Sequence, residues 1–151
     1  FNLLRHKVKG LKTAPFIDDI IVRPEYLNEF LPHLYRILNS YGFLYTVAGH
    51  VGDGNFHIIP LIDFNDKSQV ASIPRAADEV YNLVLRYGGS ITAEHNDGLI
   101  RGSYLKRMYG AKIYNLMRQV KKIFDPQGIF NPGKKIGTES LDTFLYKHLR
   151  K

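Results

Sequence analysis

The segment GHVGDGNFH, residues 49–57, constrains this chain more than any other stretch. His50 and His57 enclose a short run of Gly, Asp and Asn residues. This composition is typical of a tight turn, so the two histidines are expected on neighbouring strands of a hairpin. Glu94 and His95 follow another strand-like run further along the chain. Because imidazole nitrogens and carboxylates are ligands that zinc, manganese and iron accept, these residues predict a metal site.

The same residues also have an interpretation without a metal. Asp-Gly and Gly-Asn occur in any tight hairpin, and a single strand histidine is commonly a packed or edge residue. Turn chemistry does not, however, explain histidines on both flanks of the turn. If a metal is bound, Glu94 is the natural third ligand beside His50 and His57. His95 is then a candidate general base, because imidazole exchanges protons near neutral pH.

Hydrophobic periodicity predicts the element order β, α, β, β, α, β. Apolar residues at three- and four-residue spacings mark helices over residues 25–40 and 70–87, and Pro32 should kink the first helix or separate its first turn. Strand-like runs cover residues 16–22, 43–48, 56–62 and 90–93. This order predicts an α+β class with a ferredoxin-like split β-α-β antiparallel sheet.

Additional helices are predicted after this unit. They cover residues 104–109, 111–124 and 141–149. We therefore expect one domain over residues 1–151, with residues 1–12 and 138–151 peripheral to it. Because the chain begins at Phe1 rather than Met, we also expect it to be part of a longer protein.

The composition excludes several classes of protein. With no cysteine among its 151 residues, this chain has no disulfide, thiolate nucleophile or cysteine-ligated zinc or iron–sulfur centre. No apolar run is long enough to span a bilayer, and the first residues do not show a signal-peptide pattern. A cytoplasmic location is expected, and peripheral association of the full-length protein with the inner face of the membrane stays open.

The net charge of +7 raises an alternative function. A ferredoxin-like module could use a basic surface to bind nucleic acid or an acidic protein partner. The lysines and arginines are spread along the chain without a stripe of stacking aromatic residues, so nucleic acid is not the expected partner. A third alternative, a metal-dependent hydrolase, needs a free carboxylate to activate water, and only Asp53 and Asp97 lie within the motifs.

Three blocks in order carry a family resemblance: GHVGDGNFH, then TAEHNDGLIRG at residues 92–102, then IFDPQGIFNPGK at residues 123–134. Together they resemble the C-terminal domain of the FAD-linked oxidases, flavoproteins that include D-lactate dehydrogenases, the glycolate oxidase subunit and D-2-hydroxyglutarate dehydrogenases. The EHNDGL form is most similar to the large bacterial members that fuse this flavoprotein to an iron–sulfur reductase. The resemblance covers most of the chain.

The resemblance implies a fragment of a dehydrogenase that oxidises a small 2-hydroxy acid with FAD held mainly in a separate N-terminal domain. It implies that His50, His57 and Glu94 bind a divalent metal, zinc or manganese, and that His95 is the catalytic base. Asn55 matches a residue that touches substrate or flavin. The partner would be the rest of its own chain, and any iron–sulfur cluster would lie outside this sequence.

Further implications are less directly tied to the metal motif. Asn131 and Lys134 belong to a turn that lies near the flavin domain in many members. Asn96 departs from the family pattern, since many members have glycine there, so the substrate should not be copied from the better-known members. Because no FAD-binding segment is present, the isolated chain is expected to bind no flavin tightly and to turn over nothing.

Overall fold

The structure is a computed structural model that describes residue 8 and residues 10–149. The predicted peripheral segment 1–12 therefore lies largely outside the described residues. The backbone forms two compact units, one ending at His95 and the other beginning at Asn96. The single-domain organisation stays a prediction.

In the first unit two strands precede each of two α-helices, and helices dominate the described part of the second. The strands are β1 (Lys12–Thr13), β2 (Ile20–Ile21), β3 (Leu44–His50) and β4 (Asn55–Ile62). The helices are α1 (Leu27–Ser40) and α2 (Lys67–Arg86) in the first unit, and α3 (Leu105–Phe124) and α4 (Leu141–Leu149) in the second. Short 3₁₀ turns cover Pro24–Tyr26, Val51–Asp53 and Gly102–Tyr104.

The sheet is antiparallel and centred on β4. One edge of β4 pairs with β3 along its length, and the other pairs with β1 and β2. Beyond β2, Ser90 forms an isolated antiparallel bridge with Ile21. The resulting order, Ser90 then β2, β4 and β3, is that of a split β-α-β unit, so the predicted α+β, ferredoxin-like class is confirmed.

The two outer predicted strands are shorter than expected. The run at residues 16–22 pairs only at β2, because Phe16 and Ile17 form a turn and Asp19 has a positive φ of 70°. The run at residues 90–93 pairs only at Ser90. From Ala93 onward its backbone N–H groups donate to the side chain of Asp19 rather than to a strand. Strand propensity was therefore outweighed by a side-chain acceptor.

Helices α1 and α2 contact each other and contribute much of the core of the first unit. In α1 the buried residues recur every four positions, and the helix continues through Pro32 without interruption. Asp66 caps α2, accepting hydrogen bonds from the N–H groups of Ser68 and Gln69, so this helix begins earlier than predicted. The buried face of α2 consists of Ile73, Ala76, Ala77, Val80, Tyr81, Leu83 and Val84.

The second unit confirms the two predicted helices around residue 110. Gly110 has φ 77° and ψ 166°, which interrupts α3 between two helical segments. The apolar face of the longer segment is largely exposed, for example 54% at Val120 and 72% at Ile123. No helix within residues 10–149 is both long and apolar enough to cross a lipid bilayer.

Candidate metal centre

The hairpin places both motif histidines on one face of the sheet. Ala48 of β3 lies opposite His57 of β4, and His50 lies two residues beyond Ala48. Because side chains alternate between faces along a strand, His50 and His57 project from the same face as diagonal neighbours. Their ring centroids are 5.8 Å apart. The predicted arrangement of two histidines at the mouth of a hairpin is therefore present in the structure.

Gly54 allows the turn between these strands to approach β2 closely. It has φ 72°, and a Cβ atom at this position would lie 1.8 Å from the carbonyl oxygen of Val22. The backbone N–H of Val22 donates to the Gly54 carbonyl at 3.1 Å. Only glycine fits both the left-handed conformation and this separation, which fixes the hairpin end against the neighbouring segment.

Asp19 contacts the segment that forms the other side of the site, which bears Glu94 and His95. The sequence analysis did not identify this residue. Its side chain is fully buried, and its carboxylate accepts hydrogen bonds from the N–H groups of Ala93, Glu94 and His95. A carboxylate buried with this many donors fixes the local backbone. The backbone of the segment bearing Glu94 and His95 therefore lies against the Asp19 carboxylate.

The three imidazoles converge on one carboxylate oxygen. Oε1 of Glu94 lies 3.0 Å from Nε2 of His57, 3.3 Å from Nε2 of His50 and 3.5 Å from Nε2 of His95. A carboxylate oxygen has two lone pairs, so it cannot accept a well-directed hydrogen bond from three imidazoles at once. A cation among these atoms would satisfy all of them, which makes the group a candidate metal centre.

The distances and donor types fit a divalent cation. Ligand atoms about 2.1 Å from a shared ion are about 3.0 Å apart at a right angle and about 3.4 Å apart at a tetrahedral angle. The three nitrogen-to-oxygen separations span that range. One donor atom each from Asp19, His57, Glu94 and His95 also falls within 4.8 Å of the others, a group that leaves out His50. Distance alone therefore does not separate a ligand role from a base role for His50 and His95.

Solvent exposure is unequal across the centre. The His57 side chain is only 16% exposed, whereas those of His50 and His95 are 59% and 55% exposed. His57 thus forms the shielded floor, and the other two imidazoles line an open mouth. A small molecule could approach from that mouth.

Asp18 is the second site residue that sequence analysis missed. Its Oδ1 lies 3.1 Å from Nδ1 of His57. Because a carboxylate accepts hydrogen bonds, it favours the tautomer with the proton on Nδ1, which leaves the Nε2 lone pair facing Glu94. Two adjacent acids inside an apolar run were the available signal, since buried carboxylates require partners.

Asn55 is placed beneath the centre rather than at its mouth. It is 4% exposed, and its Nδ2 donates to Oδ1 of Asp19 at 3.3 Å and to the Ile20 carbonyl at 3.0 Å. Its Oδ1 has no hydrogen-bond partner among the described residues. Contact between Asn55 and substrate or flavin stays a prediction.

The remaining motif residues lie in the second unit. Asn96 has φ 64°, a left-handed conformation that Asn tolerates and glycine adopts most readily. Its Oδ1 accepts from the N–H of Asp97 at 2.8 Å and from Nζ of Lys135 at 2.9 Å. Asn131 and Lys134 are exposed and contact each other, with Oδ1 and Nζ 3.3 Å apart.

Comparison with known proteins gives a consistent family. The family described as FAD linked oxidases, C-terminal domain, matches residues 1–135. A D-2-hydroxyglutarate dehydrogenase of Pantoea ananatis is 37% identical over 87% of this chain and 14% of its own length. Its counterpart from Escherichia coli is 34% identical over 97% of this chain and 14% of its own length. Glycolate oxidase subunit GlcD of Bacillus subtilis is 28% identical over 86% of this chain and 28% of its own length.

These matches cover nearly all of this chain but only a small part of each relative. The chain spans about one seventh of the first two relatives. The family match includes the hairpin, the segment after Ser90 and the whole of the third motif block. The chain therefore belongs to the family of FAD linked oxidases, C-terminal domain.

Proposed function

We propose that this chain is the metal- and substrate-binding portion of a flavin-dependent dehydrogenase that oxidises a 2-hydroxy acid. The observation that carries the proposal is the convergence of three imidazole Nε2 atoms on Oε1 of Glu94. The names of the relatives, which include D-2-hydroxyglutarate dehydrogenases and a glycolate oxidase subunit, support the substrate class.

In this proposal His50, His57 and Glu94 hold zinc or manganese. When bound, the metal supplies Lewis acidity that lowers the pKa of the substrate hydroxyl, and FAD supplies the acceptor for the C2 hydride. The exposed mouth admits the substrate, and Asp18 keeps the Nε2 lone pair of His57 directed into the centre.

His95 is the proposed base. Its ring centroid lies 5.1 Å from that of His57, and its side chain is 55% exposed, so Nε2 can meet a substrate hydroxyl at the mouth. Transfer of the hydroxyl proton to His95 Nε2, together with departure of the C2 hydrogen with its electron pair, balances the oxidation of a 2-hydroxy acid to a 2-oxo acid. His95 then passes the proton to solvent.

FAD is proposed to be held mainly by a separate portion of the protein, with Asn131 and Lys134 on the flavin side. The apolar face of α3 supports this docking. Leu116, Val120 and Ile123 recur at helical spacings and are 48%, 54% and 72% exposed. An exposed stripe of this kind is typical of a surface that another domain covers. Association with an iron–sulfur reductase portion remains part of the same proposal.

Metal analysis of single variants tests the ligand assignment. Purified wild-type chain should retain about one zinc or manganese per molecule, and His57→Ala and Glu94→Gln should each lose it. His50→Ala should also lose it, because His50 is the third proposed ligand. His95→Ala should keep the metal, because a base is not required for binding.

Two results would overturn parts of this proposal. A folded wild-type chain that takes up neither zinc nor manganese from a titration would remove the metal site. If His95→Ala loses the metal while His50→Ala keeps it, the roles of these two histidines are reversed. Circular dichroism of each variant provides the control for folding.

A further inference from the structure

The carboxylate of Asp19 is enclosed by hydrogen-bond donors. Oδ2 accepts from the N–H of Ala93 at 2.9 Å, from the N–H of His95 at 2.9 Å and from Oγ1 of Thr92 at 3.2 Å. The N–H of Glu94 lies 3.2 Å from both carboxylate oxygens. Three consecutive backbone N–H groups thus surround one anionic group, as in the backbone nests that bind anions.

This enclosure leaves little capacity for a metal. A carboxylate offers about four lone-pair sites, and Asp19 accepts from Asn55 as well as from Thr92 and the three backbone donors. Although one of its oxygens lies within 4.8 Å of donor atoms of His57, Glu94 and His95, its lone pairs are already engaged. Its geometry is that of a support for the turn rather than of a ligand.

The supported turn bears two of the four candidate site residues. Residues 92–95 do not continue the sheet beyond the bridge at Ser90, so strand pairing does not hold Glu94 and His95 in place. Both side chains are about half exposed, and packing therefore constrains them weakly. The hydrogen bonds from the N–H groups of Ala93, Glu94 and His95 to Asp19 therefore constrain where this backbone lies.

We propose that Asp19 is a positioning residue that holds the 92–95 turn so that Glu94 and His95 face His57. The expected change in metal affinity rests on the proposed function, whereas the placement of the turn by Asp19 does not depend on it. Asp19→Asn keeps the size of the side chain, removes one acceptor oxygen and turns an NH₂ group toward the backbone donors. The turn should then loosen, and affinity for zinc or manganese should fall about 10- to 100-fold, as for other residues that orient ligands.

The test combines metal titration with amide exchange measured by nuclear magnetic resonance on the 151-residue chain. In metal-free wild type, the amide protons of Ala93, Glu94 and His95 should be protected from exchange although their residues are exposed. Asp19→Asn should remove this protection. It should also remove the through-space magnetic resonance signal between ring protons of His57 and His95. Zinc and manganese titrations, with a competing chelator, give the affinity of each variant.

Two variants provide matched controls. Ile58→Val trims a fully buried core residue of β4 and should lower the thermal midpoint without changing exchange at residues 93–95 or metal affinity. Thr92→Val removes only the side-chain donor to Asp19, and its effect on metal affinity should be less than about threefold. If Asp19→Asn acted only by lowering the stability of the fold, Ile58→Val would lower metal affinity in the same way. If Asp19 positions the turn, Asp19→Asn lowers metal affinity and Ile58→Val does not.

Each outcome supports or overturns the inference. Loss of metal with retained amide protection in Asp19→Asn would make Asp19 a direct ligand, and retained affinity with lost protection would mean that the turn need not be fixed. If Asp19→Asn does not fold, unprotected amides at residues 93–95 in wild type would overturn the inference, and protected ones support it. If wild type binds no metal, the proposed function fails, while amide protection and the His57–His95 ring contact still decide the role of Asp19.

Discussion

The pairing of Asp18 with His57 makes a quantitative prediction about the metal centre. Oδ1 of Asp18 lies 3.1 Å from Nδ1 of His57, and both side chains are less than one fifth exposed. A shielded hydrogen bond to a charged group contributes about 1.5–3 kcal/mol. Asp18→Ala removes this bond and frees the His57 ring to adopt the other tautomer or to rotate. Zinc or manganese affinity should then fall about 10- to 100-fold, which corresponds to about 1.4–2.7 kcal/mol.

A graded series separates orientation from charge. Asp18→Asn retains an oxygen that can accept a hydrogen bond from Nδ1 and so preserves the tautomer. It removes the negative charge that makes the Nε2 lone pair a stronger metal ligand. Its loss of affinity should be about threefold to tenfold, between wild type and Asp18→Ala. Isothermal titration with zinc, using a chelator to bring the affinity into range, measures all three proteins.

A matched carboxylate elsewhere in the first unit provides the control. Asp63 accepts from the N–H of Asn65 in a loop, so Asp63→Ala removes the same charge without touching the histidines. Its zinc affinity should stay within about twofold of wild type. If Asp18→Ala also binds zinc within twofold of wild type, the Asp18–His57 bond does not orient a ligand and the reasoning is refuted.

Three further predictions concern the hairpin, a helix cap and the apolar face. Gly54 has a left-handed conformation, and a Cβ atom there would clash with the Val22 carbonyl oxygen. Gly54→Ala should therefore lower the free energy of unfolding in urea by about 2–5 kcal/mol, and a decrease under about 1 kcal/mol would contradict the turn geometry. Hydrogen bonds from the hydroxyl and N–H of Ser68 lower the pKa of Asp66, so its stabilising effect is complete above the unfolded pKa of about 3.9 and is lost as the pH falls through the lower folded pKa. The thermal midpoint of wild type should therefore decline relative to that of Asp66→Asn from about pH 4 downward, whereas parallel curves would exclude this contribution. Ile123→Glu, at a side chain 72% exposed, should reduce binding of a hydrophobic dye and concentration-dependent self-association in sedimentation without lowering the thermal midpoint, and a lower midpoint would show that the residue packs in the core.

Local sequence signals predicted most elements of the fold. The helix faces follow from apolar spacing, and the break in α3 coincides with Gly110, whose backbone adopts a conformation outside the helix region. The hairpin follows from the turn residues of the GHVGDGNFH segment, which set His50 and His57 on adjacent strands. In each case the determining interactions lie within a few residues of one another, so periodicity and turn chemistry capture them.

The supporting acids could not be predicted in the same way. Asp18 and Asp19 occupy a run that also has strand-forming residues, and their partners lie 39 and up to 76 positions away. Spacing rules contain no information about such distant contacts. The strand predicted over residues 90–93 is too long for the same reason. Its β propensity competes with the distant carboxylate of Asp19, which accepts hydrogen bonds from the N–H groups of Ala93 and His95.

Asp19 accepts hydrogen bonds from residues far along the chain, and this sequence separation also determines when the centre can form. Its bonds to Ala93 and His95 close loops of 74 and 76 residues, and such contacts form late because loop closure costs entropy before it is rewarded. During synthesis, the hairpin histidines emerge well before the segment that completes the centre, so an incomplete chain has no assembled set of ligands to capture an ion. A cation that binds only the completed unit would add about 2.7 kcal/mol to its folding free energy at a concentration 100 times its dissociation constant. Metal supply would then influence how long the folded first unit survives in the cell, in addition to whether the site can function.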